Sequence, residues 1–154
     1  MFLVDTHTHL YQPAFDGDRE EAMVRCAEAG VDLLLLPNID VESIPRVKDM
    51  MTRWPERCRG MMGLHPCHVK EGWESELEAI EAALNAPMTD SPWVAVGEIG
   101  LDLHWDTSTL DIQQEALRIQ LGWAKQRGLP VVIHVRKAFE ALFDVLDAEM
   151  DERL

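Results

Sequence analysis

Short apolar runs near residues 2–4, 32–36, 60–64, 93–97 and 130–135 alternate with longer stretches whose apolar residues recur every three to four positions. That alternation predicts a strand followed by a helix, five times over. The first helical stretch, DREEAMVRCAEAG, is acidic at its start, as a helix N-terminus favours, and Gly30 is its expected stop. A second begins after Ser43 as candidate N-cap with Pro45 in the first turn, aligns Val47, Met50, Met51 and Trp54 on one side, and ends at Pro55. In the third, ESELEAIEAALNA, Leu77, Ile80 and Leu84 form one stripe. The fourth runs from Leu110 to Arg127 with Leu117, Leu121 and Ala124 facing one way, and Gly128 ends it. The fifth carries Phe139, Leu142, Phe143 and Leu146. With no linker and no low-complexity tract, residues 1–154 read as a single α/β domain.

Strands that alternate with helices call for a parallel sheet with right-handed crossovers, either an open doubly wound sheet or a closed (β/α)₈ barrel of the TIM type. The strand starts at 2, 32, 60, 93 and 130 recur on average every 32 residues. Eight such units would need roughly 256 residues, close to the roughly 250 of a full barrel. Five units fit either a complete five-stranded open sheet or the first five-eighths of a barrel, and length does not choose between them.

Composition narrows the class. At 47% hydrophobic and 27% charged, the chain has enough apolar residues for a real core. It has no 18-residue apolar run, and Asp5, His7 and His9 interrupt the N-terminus too early for a signal peptide, so a cytoplasmic protein without membrane contact is expected. Cys26, Cys58 and Cys67 are odd in number and lack a C-x-x-C spacing, which argues against a disulfide framework and a thiolate zinc site. A formal net charge of −14 disfavours a broad duplex-binding surface, so any nucleic-acid contact must be local. Met50, Met51, Met61 and Met62 read as core, and Glu74, Glu76, Glu78 and Glu81 as a solvated helix face.

The chemistry lies at strand ends. In VDTHTHL, alternation sends His7 and His9 to the same face, where two neutral imidazoles offer lone pairs to a cation. His65 closes strand three in GMMGLHP, Glu98 closes strand four in WVAVGEIGLD, and His134 closes strand five in LPVVIHVR. The C-terminal ends of parallel strands share one rim, where sites are built, and four of the five strands deliver a metal-ligand side chain to it. His68 and His104 fall in the loops just beyond and read as surface or supporting residues. Glu98 sits between two glycines, a carboxylate carried to a place where backbone must approach closely. Divalent cations or an ion pair with Arg136 would each offset its burial.

Taken in order and spacing, VDTHTHL, GLHP, VGEIGLD, the Gln-rich QQEALRIQLGWAKQRG and LPVVIHVRKA resemble the TatD family of metal-dependent hydrolases. The resemblance implies a (β/α)₈ barrel with two divalent ions (Zn, Mn or Mg), His7 and His9 holding one, His134 the other, and Glu98 bridging both. It also implies a phosphodiesterase or 3′-end deoxyribonuclease that acts on nucleic-acid ends or a small phosphodiester through a metal-activated water. His65 and Arg136 are the candidates to bind the substrate phosphate, with Asp102 in a supporting role. The alternatives are an ester or amide hydrolase, such as an aminoacyl-tRNA deacylase, and a non-catalytic metal-binding fragment. In the family a sixth strand brings a histidine in an HCFSG-like segment, and a late strand brings the proton-accepting aspartate in a TDSP-like one. Neither strand follows before the sequence stops at EMDERL, so the expectation is an incomplete barrel whose catalytic aspartate lies beyond residue 154.

Overall fold

The computed structural model describes residues 2–86 and 93–152. Five strands, β1 (Leu3–Asp5), β2 (Val31–Pro37), β3 (Cys58–Met62), β4 (Ala95–Asp102) and β5 (Val131–Arg136), alternate with five helices, α1 (Arg19–Glu28), α2 (Ile44–Arg53), α3 (Trp73–Asn85), α4 (Leu110–Arg127) and α5 (Phe139–Glu149). All strand pairs are parallel, in the unbroken order β1-β2-β3-β4-β5. A doubly wound sheet reverses its strand order at a switch point, whereas a barrel adds each strand beside the last. The sheet therefore follows the barrel path. Among the described residues, β1 and β5 each pair on one edge only.

The helices cover the sheet with the residues their periodicity selects. Val47, Met50 and Met51 of α2, Leu77, Ile80 and Leu84 of α3, and Leu117, Leu121 and Ala124 of α4 are all buried in one core with Met62 of β3, and Met61 is buried as well. Gly30 and Gly128 follow α1 and α4 in left-handed conformation, φ 77° and 61°, where an L side chain would be strained. α5 departs from the expected face. Leu142 and Val145 are buried, whereas Phe139 and Phe143 are more than half exposed. At about 100° per residue this is roughly a quarter-turn from the stripe through Phe139, Leu142, Phe143 and Leu146. Ser43 stands at the N-cap position of α2, but its hydroxyl does not cap the helix. It accepts from the N–H groups of Ile39 and Asp40 and bonds the Asn38 amide oxygen, which holds the loop after β2 instead.

The strand boundaries matter for the site. β3 ends at Met62, so His65 lies three residues past it, at the N-cap of the short 3₁₀ turn Pro66–His68. β4 runs five residues beyond its predicted end, because Gly97, Ile99, Gly100, Leu101 and Asp102 stay in register with Val132 through Arg136. Glu98 therefore sits within the strand. The register slips between Gly97 and Ile99, leaving Glu98 as the extra residue of a bulge whose N–H donates to Asn38 O at 3.0 Å. Bulges beside sites re-aim a side chain, and this one carries the carboxylate.

Candidate metal centre

Beyond β1 the chain bends at Thr6 and His7 and then runs on beside β2, with Thr8 N–H donating to Leu35 O at 3.1 Å. The imidazoles of His7 and His9 consequently lie together, their Nε2 atoms 3.2 Å apart. Both face one carboxylate oxygen: Glu98 Oε2 is 3.1 Å from His7 Nε2 and 3.6 Å from His9 Nε2. The other oxygen, Oε1, lies 3.3 Å from His134 Nδ1 and 3.7 Å from His65 Nε2. Glu98 thus stands at the centre of two groups, His7, His9 and Glu98, and His65, Glu98 and His134, each compact enough for a metal ion. His9, His65, Glu98 and His134 line a cavity of about 420 Å³ whose wall also includes Gln12, Ile39, Cys67 and His68.

Hydrogen-bond partners assign the proton positions on three of these rings. The Tyr11 hydroxyl donates to Pro37 O at 2.6 Å, so it accepts from His9 Nδ1 at 2.8 Å, and His9 Nε2 is left with a lone pair. His134 Nε2 lies 2.8 Å from Asp102 Oδ2, which accepts its proton and leaves a lone pair on Nδ1. His65 is the reverse. Its Nδ1 accepts from Cys67 N–H at 3.1 Å, so in the neutral ring Nε2 carries the proton and points as a donor toward Glu98. The first group therefore brings the His9 Nε2 lone pair and a carboxylate oxygen together beside His7 Nε2, a ligand set compact enough to hold a cation. In the second group His134 and Glu98 offer acceptors, while His65 offers a donor.

The electrostatics agree. Burial alone would raise the Glu98 pKa, but the surrounding imidazoles of His134, His9, His65 and His7 hold it below the usual carboxylate range. Burial pushes His65 down to about 4 against the opposing pull of Glu98, so its ring is neutral at pH 7. Glu98 raises the His134 pKa against burial, helped by Asp102. Asp102 is itself held low, since the His104 N–H and His134 outweigh burial.

The remaining candidates separate. Arg136 does not pair with Glu98, whose partners are the four imidazoles; its guanidinium lies 5.6 Å from the centre of the Trp105 ring. His68 Nδ1 faces Asp40 at 3.5 Å, and His104 stacks edge-on against Trp105 with a buried Nδ1 that has no hydrogen-bond partner. The string TDSP does occur, at residues 89–92, but ahead of β4 rather than on a late strand, and it lies outside the described residues.

Three supporting side chains escaped the sequence reading. Tyr11 is 1% exposed and sits two positions past His9 in the turn closed by Gln12 N–H on His9 O, where strand alternation gives no sign of the contact. Gln113 and Gln120 are buried polar residues on the apolar face of α4, seven positions apart. Gln120 takes Leu64 N–H at 2.7 Å and returns its NH₂ to Leu64 O at 3.3 Å; Gln113 does the same for Asp102 at 2.8 and 3.0 Å. Each satisfies backbone groups at the rim, next to His65 and at Asp102 itself.

A family model described as TatD related DNase matches residues 4–154. The chain is 34% identical over 153 residues to the "Uncharacterized metal-dependent hydrolase YabD" of Bacillus subtilis, covering 96% of this chain and 56% of that protein. It is 30% identical over 150 residues to the "3'-5' ssDNA/RNA exonuclease TatD" of Dickeya dadantii, covering 97% and 55%. Against the crystal structure of YjjV, a TatD homologue from Escherichia coli, the TM-score is 0.85 at 35% identity, covering 96% of this chain and 56% of that one. The chain spans about half the length of the curated relatives it matches. No helix among the described residues is long and apolar enough to cross a membrane.

Proposed function

From the TatD family of metal-dependent hydrolases, to which this chain belongs, we propose that its site serves hydrolysis of phosphodiester bonds at nucleic-acid ends. The convergence of His7 Nε2, His9 Nε2 and Glu98 Oε2 within 3.6 Å carries this reading, because two imidazole nitrogens and a carboxylate oxygen so placed form a ligand set for a divalent cation. His7 and His9 would hold one divalent ion and His134 a second, with Glu98 the carboxylate common to both groups. Zinc, manganese or magnesium, bound there, supplies polarisation of a phosphoryl oxygen and a water acidic enough to attack at neutral pH.

The chain's own residues set the rest. Tyr11 fixes the His9 ring so that Nε2 faces the carboxylate, and Asp102 does the same for His134 Nδ1. His65, neutral and with its proton on Nε2, is a donor for a phosphate oxygen rather than a ligand. Arg136 offers a guanidinium at the same rim, which suits contact with the substrate backbone. The 3′-5′ single-strand exonuclease named among the relatives supports a nucleic-acid end as substrate. The acidic chain, at −14, fits a strand end gripped at a few points better than a wrapped duplex.

Two measurements on the chain test this. Titration with manganese or zinc should show binding that falls in His9→Ala and Glu98→Gln. Metal-dependent release of 3′ nucleotides from single-stranded DNA should exceed deacylation of aminoacyl-tRNA. Deacylation in the absence of nucleotide release would assign the site to a carboxylic ester instead.

A further inference from the structure

Trp105 stands apart from the other tryptophans. Trp73, Trp93 and Trp123 are buried and Trp54 is half-buried, whereas Trp105 is 74% exposed. Leaving an indole in water forfeits a large apolar area, yet this ring is firmly tied to the site. His104, the residue before it, donates its backbone N–H to Asp102 Oδ1 at 2.8 Å, and the other oxygen of Asp102 lies 2.8 Å from His134 Nε2. The Arg136 guanidinium, two residues past His134, lies 5.6 Å from the indole centre. The His104 ring meets the indole edge-on at 4.5 Å between centres.

The cavities at the centre and beside the ring adjoin. Cys67 lines both the cavity of the metal centre and a second cavity of about 220 Å³ whose wall includes Asp102, Trp105 and Asp106. A ligand with its phosphate at the centre would pass Cys67 to reach the indole. The group suited to that end is flat and aromatic, because an exposed indole offers a π face and the neighbouring guanidinium a donor for a phosphate.

We propose that Trp105 is a stacking platform for a nucleobase of a single-stranded nucleic acid whose phosphodiester lies at the His7, His9, Glu98 and His134 centre. The proposal rests on reading that centre as one that acts on nucleic-acid ends. It commits the substrate to an unpaired strand, since a base held in a duplex has no free face to give. Arg136 contacts the phosphate beside the stacked base.

The test compares a labelled octathymidylate with an abasic strand of the same length and phosphate number, by fluorescence anisotropy at low salt with EDTA so that nothing is cleaved. Wild type should prefer the thymidine strand about tenfold, the scale of one stacked base. Trp105→Ala should erase the preference while abasic binding stays unchanged, and Trp105→Phe should keep most of it. Equal affinity of wild type for the two strands, a preference that survives Trp105→Ala, or no binding of either strand would overturn the proposal. Dimerisation lost in Trp105→Ala with the preference untouched would also overturn it, in favour of a second copy of the chain. Manganese-dependent cleavage of the abasic strand reads the phosphodiesterase activity separately. Cleavage without base preference removes the platform alone, and base preference without cleavage removes the phosphodiesterase reading alone.

Discussion

Asp102 Oδ2 lies 2.8 Å from His134 Nε2, and the opposite nitrogen of that ring lies 3.3 Å from Glu98 Oε1. One carboxylate thus sets which nitrogen of His134 keeps a lone pair for the centre. Asp102→Ala should cost about 10- to 100-fold in manganese or zinc affinity, the usual scale for losing a group that orients a ligand. Nitrogen NMR of His134 gives an independent reading. The proton should reside on Nε2 in the wild type and distribute over both nitrogens in the variant; an unchanged spectrum would remove Asp102 from this role.

Glu98 faces all four imidazoles, two from each oxygen. Glu98→Gln keeps the shape but removes charge from both groups at once, so it should weaken metal retention more than His7→Ala, His9→Ala or His134→Ala. Isothermal titration with zinc or manganese orders the four variants. A histidine variant that loses more than Glu98→Gln would show that one group binds without the shared carboxylate.

Strand-helix alternation made the elements legible, and placement at strand ends pointed to His7, His9, Glu98 and His134, because both signals depend on local spacing. What the spacing missed is long-range. Gln120 reaches a backbone 56 residues away, and Tyr11 finds Pro37 across 26. No window of sequence holds both partners. The true end of β4 was hidden for a related reason: glycines and acids interrupt the apolar run after residue 97, and pairing with β5 carries the strand on to Asp102. The orientation of α5 was likewise set by what it packs against, since its apolar residues allow more than one inward face.

Burial raises the thiol of Cys58, which is fully buried, from 9.0 to about 11. The folded chain therefore keeps a proton that the unfolded chain gives up between these values. The resulting stability is whole below pH 9 and is lost as pH rises toward 11, at about 1 kcal/mol per pH unit for one thiol. Cys67, raised to about 11, and Tyr11, also raised by burial, add to the same decline. Urea unfolding at pH 8, 9, 10 and 11 should show a shallower fall in Cys58→Ala than in wild type. Parallel slopes would mean that this thiol ionises as readily in the fold as out of it.

Gly100 and Gly122 should respond in opposite directions to the same added methyl group. At Gly100, with φ 141°, a Cβ would be driven into the backbone carbonyl of His134, so β5 would have to move at the residue that faces Glu98. Strand backbone cannot yield as a flexible side chain does, and the dihedral angle is itself strained for alanine. Gly122, inside α4, has nothing within 4 Å of its Cβ position, and alanine there gains helix propensity of about 0.5–1 kcal/mol. Thermal unfolding should therefore rise slightly in Gly122→Ala and fall steeply in Gly100→Ala, by at least about 3 kcal/mol if strain and overpacking add. Manganese titration of whatever Gly100→Ala remains folded should show weakened binding, because His134 is displaced from the carboxylate. Stability and binding both equal to wild type would mean that β4 and β5 can separate at this point at no cost, and the close approach of the two backbones would then not be what sets the distance between Glu98 and His134.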